Sequence, residues 1–411
     1  MDSKPFDMVL YGATSFVGEI TARYLVQEVG SNKEIKWAIA GRSESKLNQL
    51  KAALGSDATD LPVITADSAD PESLDLLCKQ TRVVISTVGP YALYGEPLIK
   101  ACVENGNDYC DLTGEAYWIK LMIDKYQGAA KESGARIVNC CGFDSIPSDL
   151  GTYFLQQAAH KGFGSYFDQV KLGVKAMKGG ASGGTIASMI EMFIAAKADS
   201  QVRKAMGNPY LLCPENHSYK VRQSRLKGAV QDQDFNCWSA PFVMEGINTR
   251  VVLRSHALRD MPYGNQFSYS EVMLMGKGNR GRLRALGLSL GLGAFVVGAL
   301  ITPLRKLMQK FLLPKPGEGP SQQEQLNGYF DMRILGKNDQ HQLTVKVTGD
   351  RDPGYGSTAK MLGQSALCMA FDIDKSDLSG GFWTPSTAMG DQLIQRLCKY
   401  SGLSFEVMDE S

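Results

Sequence analysis

The run Val9-Leu10-Tyr11-Gly12-Ala13-Thr14-Ser15-Phe16-Val17-Gly18 joins an apolar strand to a helix through a turn of small residues. Such a turn can grip a pyrophosphate. Gly12 permits the tight bend, the backbone N–H groups of Thr14, Ser15, Phe16 and Val17 face an anion at the positive helix end, and Gly18 lets the helix close on the strand. Ser15 stands where the usual glycine fingerprint has its middle glycine. The next apolar strand, 35–40, runs into Gly41-Arg42-Ser43. Where NAD-selective sites place a carboxylate for the ribose 2′-hydroxyl, this chain places a guanidinium, with Ser43 and Lys46 beside it. Its fork matches a 2′-phosphate, so the expected cofactor is NADP, used as NADPH.

Ligands in parallel sheets bind beyond the carboxyl ends of the strands, which adds three segments to the same expected site. Asp67 follows Val63-Ile64-Thr65-Ala66 and either meets the adenine amino group or caps the helix before Pro71. Thr87-Val88-Gly89-Pro90 would bring backbone close to the ribose and nicotinamide, and Gly142 would face the nicotinamide from the other side. Four residues adjoin glycine or proline turns and are candidates for a proton donor: Tyr91, Asp144, Ser145 and Tyr355. Asp144 and Ser145 have an alternative role as caps of the helix after Pro147, and Tyr91 as a packing residue. There is no Tyr-x-x-x-Lys pair, so the short-chain dehydrogenase proton relay is absent. The four histidines, His160, His217, His256 and His341, show no ligand spacing, and no metal is expected.

These residues need a frame. Apolar runs at 8–12, 35–41, 61–67, 83–89 and 136–142 alternate with helix-period segments such as 16–29 and 97–105, the pattern of a parallel sheet covered on both faces. After about residue 150 the runs lengthen, at 169–177, 249–256, 266–275, 329–335 and 342–348, and imply a mixed or antiparallel sheet. Helical stretches at 357–371 and 387–400 close the chain, with packing back on the first domain left open. The fold class expected is α/β: a Rossmann domain over 1–150 and an α+β substrate or dimerisation domain over 151–411. A length of 411 residues fits two cores. A formal net charge of +1 gives no global reason to expect nucleic acid. Nine cysteines without a Cys-x-x-Cys pair fit a reducing cytoplasm, and no secretory signal is read at the N-terminus.

The turn Gly12 to Gly18, Ala40-Gly41-Arg42, Gly89-Pro90-Tyr91, Gly142-Phe143-Asp144-Ser145-Ile146-Pro147-Ser148-Asp149, Pro353-Gly354-Tyr355-Gly356 and Gly380-Gly381-Phe382-Trp383-Thr384-Pro385 occur in order over nearly the whole chain. Together they resemble the saccharopine-dehydrogenase-like oxidoreductases, a family that includes trans-acting enoyl reductases of glycolipid biosynthesis. The resemblance implies an NADP-type Rossmann domain, a second α+β domain and chemistry on a lipid-linked substrate. Enoyl reduction is the reading adopted. Saccharopine-type dehydrogenation is the alternative, set back because a tricarboxylate needs clustered cations that the chain does not offer outside one apolar segment. A membrane-associated NADP-binding scaffold or sensor without turnover is the other.

That apolar segment is 285–304, twenty residues without a charge. From 272 to 317 there is no acidic residue, while Lys277, Arg280, Arg282, Arg284, Arg305, Lys306, Lys310 and Lys315 are basic. Twenty helical residues can cross a bilayer, but strands of one expected sheet lie on either side, and Gly287, Gly291, Gly293 and Gly298 weaken a stiff span. The insert, 280–314, is expected to lie on a membrane surface, leaving a peripheral protein on the cytoplasmic face; a buried core or dimer-interface helix is the alternative. A homodimer is expected.

Overall fold

The computed structural model describes residues 4–31, 34–180, 183–218, 221–311 and 319–408. Strands β1 (Phe6–Tyr11), β2 (Trp37–Gly41), β3 (Val63–Thr65), β4 (Thr81–Ser86), β5 (Asp108–Asp111) and β6 (Arg136–Val138) come first. Then follow β7 (Gln169–Lys178), β8 (Val230–Asp232), β9 (Cys237–Pro241), β10 (Ser268–Gly276), β11 (Tyr329–Lys337), β12 (Gln342–Gly349), β13 (Gly381–Trp383) and β14 (Leu403–Val407). They form two seven-stranded sheets, one in each of two compact units.

The first unit comprises Met1–Phe143 and Gly354–Ser401. Its sheet has the order β13-β6-β5-β4-β1-β2-β3, and each of its pairings is parallel. Strand β1 is central. Met8, Val9 and Leu10 are fully buried because helices cover both faces, which is why the run reads as continuously apolar. Tyr11 stands beside Ala40 on one side and Ser86 on the other, so the register sets the carboxyl ends of β1, β2 and β4 next to one another. The sequence reading carries the second domain from 151 to the chain's end, whereas residues 354–401 belong to the first unit. The reason is apolar: every residue from Thr358 to Ala370 except Lys360 is buried in the helix Thr358–Phe371, and β13 adds to the β6 edge.

The second unit, Asp144–Pro353 with Gly402–Ser411, has the order β14-β12-β11-β7-β10-β9-β8, mixed as expected, with β7 and β10 parallel and the other pairs antiparallel. The helix Ile146–Phe163 lies so close to it that a β-carbon on Gly151 would fall 2.3 Å from Ile334 Cδ1. One expectation is corrected. Residues 249–256 are not a strand but part of the helix Glu245–Leu258. That helix is buried on nearly every side, which erases the amphipathic period, and its β-branched Thr249, Val251 and Val252 imitate a strand. Its arginines are buried against backbone: Arg250 Nε donates to Asn208 O at 3.1 Å and Arg254 to Leu212 O.

The apolar insert forms two helices, Gly278–Leu300 and Thr302–Phe311. Residues 312–314 of the expected insert, with Lys315, lie outside the described residues.

Candidate functional site

In the first unit, the turn after β1 is built as a phosphate-binding loop requires. Gly12 has φ +84°, and a β-carbon there would lie 2.6 Å from Val88 Cγ2 and 2.8 Å from Thr87 Oγ1. Only glycine fits. A β-carbon on Gly18 would lie 2.2 Å from Gly12 O, so the helix Phe16–Val29 touches the turn through bare backbone. Ser15 has ordinary extended geometry and needs no glycine. Its hydroxyl caps the helix, accepting from Gly18 N at 3.0 Å, and donates to Thr87 Oγ1 at 3.1 Å. Thr87 in turn bonds the Gly12 carbonyl at 2.9 Å, tying the turn to the end of β4. Thr14 and Gly41 face each other, the threonine hydroxyl 4.0 Å from where a Gly41 β-carbon would be.

Arg42, just beyond β2, is exposed, and among the described residues no carboxylate pairs with it. The phenol of Tyr11, pushed up to about 12 chiefly by burial, also feels Ser68, Asp67 and Arg42, which puts these groups around one spot. The guanidinium is therefore free to take a phosphate. Ser43 is the N-cap of the helix Glu44–Ala53, accepting from Lys46 N at 3.4 Å. Asp67 does not cap the helix Pro71–Gln80. That role falls to Asp70, while Asp67 Oδ1 accepts from Ala69 N at 3.0 Å and the residue is half-buried.

Val88 and Pro90 are half-buried and Gly89 is exposed. Tyr91 is a buried packing residue: its hydroxyl donates to Ser86 O at 2.9 Å, and its backbone N donates to Glu115 Oε1 at 2.9 Å. Gly142 is pressed against the helix Thr358–Phe371, where a β-carbon would sit 3.0 Å from Thr358 Cγ2. Thr358 Oγ1 accepts from Phe143 N at 3.0 Å. Tyr355, also in this unit, is packed edge-on against Phe16 of the phosphate turn, with ring centroids 5.1 Å apart.

Sequence reasoning missed Asp111 and Glu115. Asp111 is buried and pushed up to about 6 by desolvation, against the opposing pull of Thr113 N, Asn139 Nδ2, Cys140 N and the Tyr109 hydroxyl. It fixes the end of β6 to the end of β5. Glu115 accepts from Tyr91 N and Ala92 N and holds the start of the short helix Tyr91–Tyr94. The acidic spacing Asp111-Leu112-Thr113-Gly114-Glu115 was the signal available for both.

In the second unit Ser145 is fully buried with φ +146°, and its hydroxyl does not cap the helix Ile146–Phe163. It donates instead to Asn248 Oδ1 at 3.2 Å. Asn248 Nδ2 donates to Glu271 Oε2 at 2.9 Å, and the Tyr269 hydroxyl donates to Glu271 Oε1 at 2.5 Å. Asp144, half-buried, has no hydrogen bond or ion pair on its carboxyl among the described residues. Desolvation, with the Glu271 charge adding, pushes it up to about 7. Asp144 is thus the one acid candidate of the four that is part protonated at neutral pH with no partner engaged.

Residues 8–138 match the family described as saccharopine dehydrogenase NADP binding domain. A Mycobacterium tuberculosis relative, named provisionally as a trans-acting enoyl reductase, is 38% identical over 96% of both chains. The chain belongs to the saccharopine-dehydrogenase-like oxidoreductases. A protein of Mycobacterium bovis named trans-acting enoyl reductase is 36% identical, again over 96% of each chain. Among solved structures, apo saccharopine dehydrogenase (L-Glu forming) from Saccharomyces cerevisiae shares the fold, with a TM-score of 0.50 at 14% identity, covering 98% of this chain and 100% of that one. This oxidoreductase binds NADP(H), and the turn and the free guanidinium fit that group.

Discrimination between the two nicotinamide cofactors should rest on Arg42. Replacing Arg42→Ala removes a charge-assisted contact worth about 1.5 to 3 kcal/mol, roughly ten- to a hundredfold in Kd for NADPH, while NADH binding stays within about twofold. Fluorescence titration with both cofactors measures it. An unchanged NADPH/NADH ratio would remove Arg42 from the site.

Proposed function

We propose that this oxidoreductase reduces the carbon–carbon double bond of an apolar, lipid-linked enoyl substrate at the expense of NADPH. The observation that carries the reading is kinship along almost the entire chain with proteins named trans-acting enoyl reductases, joined to a cofactor turn that this chain keeps intact. When bound, NADPH supplies the hydride that the β-carbon of the double bond accepts. The Gly12–Gly18 turn and Arg42 hold that cofactor by its phosphates. Asp144 holds the proton that the α-carbon takes up, and solvent restores it. The buried chain from Tyr269 through Glu271 and Asn248 to Ser145 fixes the loop next to Asp144 in its strained conformation.

The reading is tested by NADPH oxidation with a long-chain α,β-unsaturated acyl thioester, its saturated analogue, and saccharopine with NADP. Oxidation of NADPH with the unsaturated thioester alone, and a product two mass units heavier, are the expected result. Turnover of saccharopine in place of the thioester would replace this reading with an amino-acid dehydrogenase. Binding of NADPH with no turnover of any enoyl chain length would favour a sensor.

A further inference from the structure

The helix Gly278–Leu300 is long and apolar enough to span a bilayer, yet only 17% of its most apolar stretch is buried. A core helix of that composition would be mostly enclosed. One face of it meets the body of the second unit, through Gly281, Ala285 and Ala299. The opposite face is a stripe in which Leu283 is 69% exposed, Leu290 73% and Val297 53%, with Leu286 between them. Spacings of three, four and seven put these side chains on one side of a helix. The helix Thr302–Phe311 has no buried residue at all, and Leu304, Leu307 and Phe311 repeat the same spacing on it. The two helices form one hairpin: a β-carbon on Gly298 would lie 2.4 Å from Met308 Sδ.

Charge accompanies the apolar face. Arg280 and Arg284, one turn apart, flank the stripe, and Lys306 and Lys310 do so on the second helix; all four are exposed. Lys277 and Arg284 also edge a cavity of about 1180 Å³ that is lined by Lys175 and Arg333 beside Leu274 and Leu335. Its carboxylate, Asp234, is already engaged by Lys171 and Lys337. No acidic residue occurs between 272 and 317 to offset these cations.

We infer that the hairpin docks the protein on an anionic lipid surface, lying in the headgroup layer with its leucines in the acyl boundary, and does not cross it. A crossing is opposed by topology, because β10 and β11, which precede and follow the hairpin, both pair with β7 of one sheet. The long helix is also held to the body near both ends: Arg282 sits over the Trp238 ring at 5.7 Å, and Lys197 Nζ donates to Leu300 O at 2.9 Å. A flat helix with a basic border gains from apolar insertion and from headgroup attraction together.

The full-length protein is floated with phosphatidylglycerol vesicles and with phosphatidylcholine vesicles at low and high salt. Two variants accompany it, one with Arg280, Arg284, Lys306 and Lys310 changed to Gln, the other with Leu290, Leu307 and Phe311 changed to Asn. Both variants are checked for a wild-type melting temperature and NADPH affinity, which separates failure here from failure of the cofactor site. Wild type is expected to float with phosphatidylglycerol at low salt and to bind phosphatidylcholine far more weakly. The Gln variant should lose roughly a hundred- to a thousandfold in affinity for anionic vesicles, and the Asn variant should lose binding to both. Wild type that stays unbound on phosphatidylglycerol overturns the inference, and light scattering that shows a dimer dissociated by the Asn variant would assign the face to a second copy of the chain. Equal binding to both lipids, indifferent to salt and to the Gln variant, overturns it in favour of insertion without headgroup recognition.

Discussion

Gly18→Val is expected to abolish NADPH binding, with a loss of at least a hundredfold in affinity, and Gly18→Ala to do nearly as much. The cause is contact with the turn and not with the cofactor. A β-carbon at this position would overlap the Gly12 carbonyl at 2.2 Å and the backbone of Ala13 at 2.9 Å, and neither is the end of a flexible side chain that could swing away. The helix must back off the strand, and the N–H groups at its start move with it. Overpacking of this kind costs about 1 to 3 kcal/mol of stability, which the first unit's sheet can absorb. Thermal shift reads both effects. Wild type at a hundred times Kd gains about 2.7 kcal/mol from ligand, and the variants should gain none. The contrast is Ser15→Gly, which loses one cap and one bond to Thr87 but keeps the backbone path, and should retain cofactor with only a small drop in melting temperature. A full NADPH-induced shift in Gly18→Val would mean that the turn does not hold the pyrophosphate.

The same turn shows what the chain discloses by itself. Gly12, Gly18 and Arg42 are legible because their duties are local: a positive φ, a close backbone approach, and a charge at the end of one strand. The central strands are legible because burial on both faces leaves them apolar. Strand β5 is hidden for the opposite reason. Its ends are Asp108 and Asp111, and they become tolerable in a buried strand only through partners distant in sequence, Arg136 at 2.8 Å for the first and Asn139 for the second. The helix Glu245–Leu258 is misread because its arginines look solvent-facing while their hydrogen-bonding partners are carbonyls some 40 residues earlier. Residues 354–401 give no local sign that they complete the first unit's sheet, since β13 is three residues long and takes its place from pairing with β6. The proton donor falls between these cases. Four residues qualify by their neighbours in sequence, and only the hydrogen bonds formed or left unformed in space separate Asp144 from Tyr91.

Asp144→Asn is expected to lower kcat for the enoyl substrate by about 10² to 10⁴ while leaving the Kd for NADPH within twofold. Asparagine keeps the shape and removes the transferable proton. In wild type the rate should be highest on the acid side and fall as pH rises through about 7, because the useful form of Asp144 is the protonated one. Residual activity of the variant should lack that descent. The substitution moves stability the other way from activity. The folded-state value lies above the ordinary 3.8, so the carboxyl's contribution to stability is fully present below about pH 4 and is lost as pH rises through 7, where its charge is forced into a half-buried position near Glu271. Asparagine never acquires that charge. The variant should therefore melt at a higher temperature than wild type at pH 8 and at nearly the same temperature at pH 4. A residue kept for packing would show neither the reversal between activity and stability nor its dependence on pH. If Asp144→Asn retained full activity with the wild-type pH profile, the proton would come from elsewhere; if it melted lower at pH 8, the carboxylate would have an attractive partner there and its raised value would be wrong.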